Sequence, residues 1–181
     1  KKLEQFYPPE ANGNIPVGYI WAHTIPCQNP ACNQEIPLVR AYWLAKKDKG
    51  NIALYPTSKK GKLVFQVVGG KYGSIPHDFD PEKGTVSRAV ATCPLCGTVV
   101  DNHTTRRMFQ EKKAGQRMLA VISLNPDSAG KNYRVANEKD VAIYQKAENA
   151  LKIKREKLMT AWGIDPIPDE ATPEGKGGGA E

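Results

Sequence analysis

The sequence lacks the long apolar segments that would place a protein in or beyond a membrane. No apolar run approaches the roughly 20 residues that span a bilayer. No charged start is followed by an apolar stretch and a small-residue cleavage site, as in a secretory signal. These absences predict a cytoplasmic protein with no membrane partner. The chain begins with Lys1 and ends in a Pro/Gly-rich stretch, which is typical of a piece of a longer polypeptide.

Catalytic signatures are missing as well. The three histidines, His23, His77 and His103, are scattered and form no spaced pair, and only His103 lies near a cysteine pair that it could complete. No Gly-rich strand-to-helix turn resembles a nucleotide-binding loop, because the glycines at 177–179 lie in an acidic tail with no strand before them. We therefore predict that this chain has no enzymatic activity by itself.

Acidic residues are scarce outside the C-terminus. The formal net charge is +7, and the segment after Ile164 holds five acidic residues and one lysine, which leaves +11 for residues 1–164. A body this basic favours a polyanionic partner, with nucleic acid the first candidate. The alternatives are that the charge keeps the chain soluble or faces an acidic neighbouring domain, and charge alone does not decide between them.

The four cysteines form two closely spaced pairs. Four residues separate Cys27 from Cys32, and two separate Cys93 from Cys96. Without an export signal, metal binding is favoured over two disulfides. All-cysteine ligation favours tetrahedral zinc, with rubredoxin-like iron second and free structural thiols third. Four protein ligands leave no open position, so the sequence predicts a structural zinc ion and no catalytic metal.

Turn residues support each cysteine pair. Asn29 and Pro30 reverse the chain within the first pair, and Pro94 and Gly97 serve the second. Gly97 can adopt the positive φ that the residue after the second ligand commonly requires. We expect backbone amides in both turns to point toward the sulfurs.

Several strands are expected between and after the cysteine pairs. Alternating and β-branched segments predict strands at 18–24, 36–44, 51–55, 63–68, 85–92 and 118–124. The polar residues 46–50 predict a hairpin tip between the second and third strands, and 73–84 predicts a loop. Residues 104–116 are expected to be helical or loop-like.

The clearest element is a helix that follows Asn137 and is closed by Gly163. Asn137 can cap it, Glu138 and Asp140 lie at its positive end, and basic residues lie near its negative end: Lys152, Lys154, Arg155 and Lys157. The fold class expected is α+β: a zinc ribbon with an inserted antiparallel sheet, then a strand and a long C-terminal helix. We expect an N-terminal extension (1–17), a zinc-ribbon β domain with inserted hairpins (18–134), a helix packing on it (135–163) and a flexible acidic linker (164–181).

These motifs resemble a known family. The resemblance lies in WAHT at 21–24, EIPLVR at 35–40, WL at 43–44, GTV at 84–86, ATCPLCG at 91–97 and KAGQRM at 113–118. Together with the cysteine pairs, they resemble the zinc-ribbon region of prokaryotic adenine-specific DNA methylases that contain a zinc ribbon, from about Tyr7 to about Glu170. Asn33 departs from the family, in which a glycine often follows the first pair; asparagine tolerates positive φ less freely.

The resemblance implies a parent enzyme that uses AdoMet to methylate adenine at N6. In that family the ribbon lies between the AdoMet motif and an Asp-Pro-Pro-Tyr motif, and neither is present here. The Asp-Pro dipeptides at 80–81 and 165–166 continue as Glu82 and Ile167. The resemblance therefore implies a zinc-binding module whose partners are DNA and the remaining methyltransferase domains, with AdoMet bound only by the parent.

Two groups of basic residues are candidates for nucleic-acid contact. One follows the second cysteine pair and the other lies in the hairpins: Arg106, Arg107, Lys112, Lys113 and Arg117; Lys46, Lys47, Lys59 and Lys60. Arginine makes bidentate phosphate or guanine contacts, which favours the first group. Lysine-rich hairpin tips also protect sheet edges from aggregation, and a basic helix face is often merely solvated. The alternative function is a scaffold or protein-interaction ribbon that does not touch nucleic acid.

Overall fold

The computed structural model describes residues 4–46 and 50–167, and it divides the chain into two compact units. Within the described residues, one unit comprises residues 9–46 and 50–136, and the other combines residues 4–8 with residues 137–167. The strand pairings in the described residues are antiparallel, and a long α-helix follows them. The α+β class with antiparallel sheets and a C-terminal helix is therefore confirmed.

The first sheet of the larger unit has four strands. Its order is β10 (Lys131–Val135), β9 (Gly115–Leu124), β1 (Ile15–Pro26) and β2 (Glu35–Leu38). The strand expected at 18–24 is longer at both ends, because β1 pairs with β9 from Ile15 to Thr24 and with β2 from His23 to Pro26. β10 has no counterpart among the expected strands.

A second sheet consists of β3 (Trp43–Ala45), β4 (Ile52–Lys59) and β5 (Lys62–Val68). β4 and β5 form a hairpin whose two-residue turn, Lys60 and Gly61, has φ values of 52° and 73°. Such turns match the twist of the flanking strands. Pairing of Trp43 with Ala53 confirms the hairpin between β3 and β4, although residues 47–49 of its tip, and so Lys47, lie outside the described residues.

The third sheet carries the second cysteine pair. It consists of β6 (Val86–Ser87), β7 (Val90–Thr92) and β8 (Val99–Val100). The single strand expected at 85–92 is wrong, because Arg88 and Ala89 adopt positive φ values of 48° and 62° and turn the chain into a β6–β7 hairpin.

The expected strand at 36–44 is also wrong, because it divides between two sheets. β2 pairs with β1, whereas β3 pairs with β4. The residues between β2 and β3 form backbone hydrogen bonds with another segment of the chain. Thr85 N donates to Val39 O at 2.8 Å, and Tyr42 N donates to Pro81 O at 2.8 Å. Pro81 of the expected loop 73–84 and Thr85 just after it thus hold the residues between β2 and β3 in place.

Two hydrophobic clusters fill the larger unit. The first, here called the apolar cluster, has as its buried residues Ala22, Tyr42, Leu54, Leu63, Phe65, Leu119 and Ala120. The second, the cysteine cluster, has Ile25, Cys27, Ile36, Ala91, Cys93, Val100 and Met108. β1 contributes to both, because Ala22 lies in one cluster and Ile25 in the other.

Two α-helices complete the described elements, with short 3₁₀ helices at Glu4–Phe6 and Gly70–Tyr72. α1 (Asn102–Gln110) is capped by Asp101, and α2 (Glu138–Trp162) begins at a capping box of Asn137 and Asp140. α2 ends at Gly163 with φ 70°, so its predicted bounds are confirmed. Its last turn contains no basic residue, because the four expected there lie earlier in the helix.

None of the helices in the described residues is long and apolar enough to cross a membrane. The linker expected at 164–181 falls mostly on residues 168–181, outside the described part of the chain.

Candidate metal centre

The first cysteine pair lies at the tip of the β1–β2 hairpin. Pro26 pairs with Glu35, and Cys27 N donates to Gln34 O at 2.8 Å, so the hairpin closes around the pair. Within the tip, Cys32 N donates to Asn29 O at 3.0 Å, and Ala31 N donates to the Asn29 side chain at 3.0 Å. Asparagine thus folds the turn with both its backbone and its side chain.

Asn33 occupies the position that the resemblance assigns to glycine. Its φ is 47°, the left-handed conformation that asparagine tolerates better than most residues. Its amide donates to Asn29 O at 3.2 Å. The departure from the family pattern therefore leaves the turn intact.

The second pair lies at the tip of the β7–β8 hairpin. Cys93 N donates to Thr98 O at 2.9 Å, and Gly97 N donates to Cys93 O at 2.9 Å. Gly97 has φ 73°, which confirms the expected left-handed conformation after the second ligand. A glycine adopts it without strain.

The two tips converge. The four Sγ atoms lie within 4.8 Å of one another. Cys27 Sγ lies 3.6 Å from Cys96 Sγ, and Cys32 Sγ lies 3.8 Å from Cys93 Sγ. These distances far exceed the roughly 2.05 Å of a disulfide and match the edge of about 3.8 Å of a tetrahedron with zinc–sulfur bonds of about 2.3 Å. The group could hold one metal ion.

Burial and hydrogen bonding shift the pKa values of three of the thiols in different directions. Burial raises the pKa of Cys27, and burial followed by hydrogen bonding to Cys96 raises the pKa of Cys32 to about 12. The side chain and then the backbone of Thr98 lower the pKa of Cys96 to about 6. Because their pKa values are raised, Cys27 and Cys32 would each release a proton on binding a metal near neutral pH.

Backbone amides stabilise the sulfurs, as expected for metal-binding turns. Hydrogen bonds from the backbone of Asn29 and Gln34 act to lower the pKa of Cys27 and Cys32 respectively, against the larger effect of burial. The amide of Thr98 acts on Cys96 in the same direction. In each case the donor lies two residues beyond the cysteine. The turns thus carry the partial positive charge that a thiolate cluster needs.

Hydrogen bonds link the segment after β2 to the start of β6, next to the two cysteine hairpins. The Thr85 hydroxyl donates to Pro37 O and accepts from Val39 N at 3.0 Å. Next to it, Gly84 N donates to Arg40 O at 3.1 Å, and a Cβ on Gly84 would lie only 2.0 Å from Val39 O. This close backbone approach fixes the segment after β2 against the start of β6.

The composition of the cluster limits its chemistry. Within the described residues, the metal-binding group consists of the four cysteines, without histidine or carboxylate, so the substitution considered for His103 is not needed. A four-coordinate ion held by four protein thiolates has no position for water or substrate. The arrangement supports structural metal binding.

α1, which follows β8, holds part of the first basic group. Thr105 and Met108 are buried, whereas Arg106, Arg107, Lys112 and Lys113 are exposed. Glu111 forms ion pairs with Lys113 at 2.7 Å and with Arg107 at 4.0 Å. Arg106 and Lys112 form no ion pair within residues 4–46 and 50–167.

The remaining basic candidates lie elsewhere and in different surroundings. Arg117, on β9, donates to Leu63 O at 3.0 Å and lies over the Phe65 ring at 5.4 Å. Its guanidinium therefore packs against two residues of the apolar cluster. Lys46 forms an ion pair with Glu82. Lys59 and Lys60 are exposed at the β4–β5 turn. The described basic candidates thus lie on separate elements: α1 and the turn after it, β3, β9 and the β4–β5 turn.

Sequence reasoning missed two features of this region. Thr85 is buried and links the hairpins, but nothing in its sequence context distinguishes it from an ordinary strand residue. Phe109 is 39% exposed beside His23, although an aromatic residue on a helix is normally assigned to the core. Only the exposed basic residues around it gave a signal.

Comparison with protein-family models, with curated proteins and with solved structures finds no match for this chain.

Proposed function

We propose that the four cysteines bind one structural zinc ion and that the chain is the zinc-ribbon module of an AdoMet-dependent DNA adenine-N6 methyltransferase, where it assists DNA binding. The observation that carries the proposal is the convergence of two hairpin tips, which places thiols at distances of 3.6 and 3.8 Å. The methyltransferase context rests on the sequence resemblance. AdoMet binding and methyl transfer belong to the parent, with no catalytic role for this chain.

Zinc is favoured over iron as the occupant. A closed four-thiolate tetrahedron suits both metals, but zinc is the commoner structural ion at paired cysteine turns. Protein prepared without chelators should contain about one zinc per chain by elemental analysis. Iron would give a coloured protein with visible absorbance, and protein with no metal would refute the proposal.

The DNA role is supported by the position of α1. The helix starts two residues after β8 and buries Met108 in the cysteine cluster, and its exposed side carries Arg106 and Arg107. Phosphate contacts by such residues release counterions, so affinity should fall as salt rises. Each lost contact should reduce the slope of log affinity against log salt by about 0.9.

The test is duplex DNA binding over a range of salt concentrations. The double variant Arg106→Gln/Arg107→Gln should bind more weakly and lower the slope by up to about two. Lys154→Gln/Lys157→Gln removes the same charge from exposed positions on α2 and is the matched control. Affinity that is independent of salt, or equal losses in both double variants, would refute specific contact by α1.

A second candidate function is a scaffold that docks onto other domains without touching nucleic acid. Several basic side chains already have protein partners: Lys46 with Glu82, and Arg107 and Lys113 with Glu111. A scaffold predicts that the chain ignores DNA but binds the remainder of the methyltransferase, which a pull-down with that remainder would detect.

A further inference from the structure

Phe109 is an exposed aromatic side chain on the helix next to the metal centre. It follows the buried Met108 on α1, yet it is 39% exposed, whereas Phe65 in the apolar cluster is 6% exposed. Its ring contacts the exposed His23 of β1 edge to face, with centroids 5.3 Å apart and planes at 77°. The contact orients the Phe109 ring but leaves over a third of the side chain open to solvent.

The surroundings of this ring pair are polar and positively charged. Arg106 lies three residues before Phe109 and is therefore its neighbour on the helix surface. Gln116, which pairs with His23 across β1 and β9, is exposed, as is Gln110 at the end of α1. Neither Arg106 nor Lys112 has an acidic partner among the described residues. The exposed neighbours named here are polar or cationic, so a nucleotide would find a ring beside a cation.

Lys112 adds a second cation close to Phe109, at the end of α1. It has φ 55°, and its amide donates to Phe109 O at 3.1 Å, while Lys113 N donates to Met108 O at 2.8 Å. This pattern ends a helix with one left-handed residue, a position that glycine fills with least strain. Lysine is strained there by about 1 kcal/mol, yet it places a cation within one turn of Phe109.

We propose that Phe109 and His23 form a stacking surface for an unpaired nucleobase, with Arg106 contacting the adjacent phosphate. The inference rests on the proposed DNA function and deepens it, because it names the substrate form as single-stranded DNA or an extruded base. Aromatic rings stack on any base, and each stacked base contributes about 1–3 kcal/mol. The flanking glutamines can donate to and accept from base edges.

The test compares two DNA probes: a single strand with one central 2-aminopurine, and the same strand in a duplex. Phe109→Leu keeps an apolar side chain but removes the ring, and its affinity for the single strand should fall roughly 5- to 100-fold. Duplex affinity should change less than about twofold, because phosphate contacts remain. Val17→Ala, at an exposed position of β1, is the matched control and should bind both probes normally.

Fluorescence and a second variant keep the proposal falsifiable. Stacking on Phe109 should change the 2-aminopurine signal with the unaltered protein and leave it unchanged with Phe109→Leu. If Phe109→Leu loses its metal, Phe109→Trp decides: it should bind the single strand at least as tightly as the unaltered protein, and a loss of more than about tenfold with metal retained would overturn the idea.

The outcomes separate this inference from the broader proposal. Salt-dependent duplex binding together with full single-strand affinity in Phe109→Leu would overturn the stacking surface alone. Failure to bind either probe would overturn the DNA function with it.

Discussion

The two clusters of the larger unit share strands but are stabilised by different means. Strands of eight and seven residues, β4 and β5, bring Leu54, Leu63 and Phe65 into the apolar cluster. The cysteine cluster takes Ala91 and Val100 from β7 and β8, which have three and two residues, and is completed by Ile25 of β1 and Ile36 of β2. Strands this short bury little apolar surface. From this comparison we expect one end of the unit to fold on packing alone, and the other to gain stability from the proposed metal ion.

Loss of one cysteine should have the largest effect. Cys93→Ser should abolish tight zinc binding, because Cys93 is buried within the cysteine cluster and metal binding to such sites contributes on the order of 10 kcal/mol. Hydrogen exchange should show protection lost in β7, β8 and α1 but retained in β4 and β5. Equal loss at both ends would show that the two clusters fold as one.

Acidification should act at the same end. Cys27 and Cys32, whose pKa values are raised, must each lose a proton to bind the metal, whereas Cys96, with its pKa lowered to about 6, is already a thiolate near pH 7. Zinc affinity should therefore rise about 100-fold or more per pH unit between about pH 7 and 8 and fall on acidification. Competition with a chromophoric chelator measures this, and affinity independent of pH would refute the assignment.

A cavity in the apolar cluster should weaken the unit without touching the metal. Leu54 is 2% exposed, and Leu54→Ala should lower the free energy of unfolding by about 2–5 kcal/mol. The metal content should stay at one per chain. Leu124→Ala, at a position that is 39% exposed, is the control and should have a much smaller effect. Loss of metal from the Leu54 variant would contradict the division into two clusters.

Thr85→Val tests the link between the hairpins. Valine has the shape of threonine but neither accepts from Val39 N nor donates to Pro37 O. The buried backbone groups left without partners should lower the free energy of unfolding by about 1–3 kcal/mol. Thr92→Val, at an exposed position of β7, should change it by less than about 0.5 kcal/mol. Denaturant titration of the zinc-loaded protein measures both.

A matched pair of glycines gives the smallest effect and the sharpest comparison. Gly97 and Gly61 both have φ 73°, and a Cβ on either meets no heavy atom within 4 Å. Alanine at each should therefore lower stability by a similar 1–2 kcal/mol or so through backbone strain alone. Only Gly97→Ala, at the second cysteine turn, should also weaken zinc binding. Equal zinc affinity in the two variants would show that this turn does not control the site.

Part of the fold was predictable because local chemistry decides it. The Asn137 side chain caps α2 by accepting from the first amides of the helix. Gly163 and Gly97 adopt positive φ because glycine has no Cβ to oppose it. β5 was predictable because a short apolar run at 63–68 lies between turn residues on both sides. The break at 39–42 was not, since its backbone partners, Pro81 and Thr85, lie more than 35 residues away.

The candidate site shows the same division. The sequence determined which cysteines pair along the chain and which turns support them, because each pair lies within six residues. Only the tertiary structure decided that the two cysteine pairs meet within 4.8 Å. It also decided that Arg117 contacts Leu63 and Phe65, and that Phe109 stays exposed beside His23. These outcomes depend on which strands become neighbours, and the periodicity of a segment does not encode its distant partner.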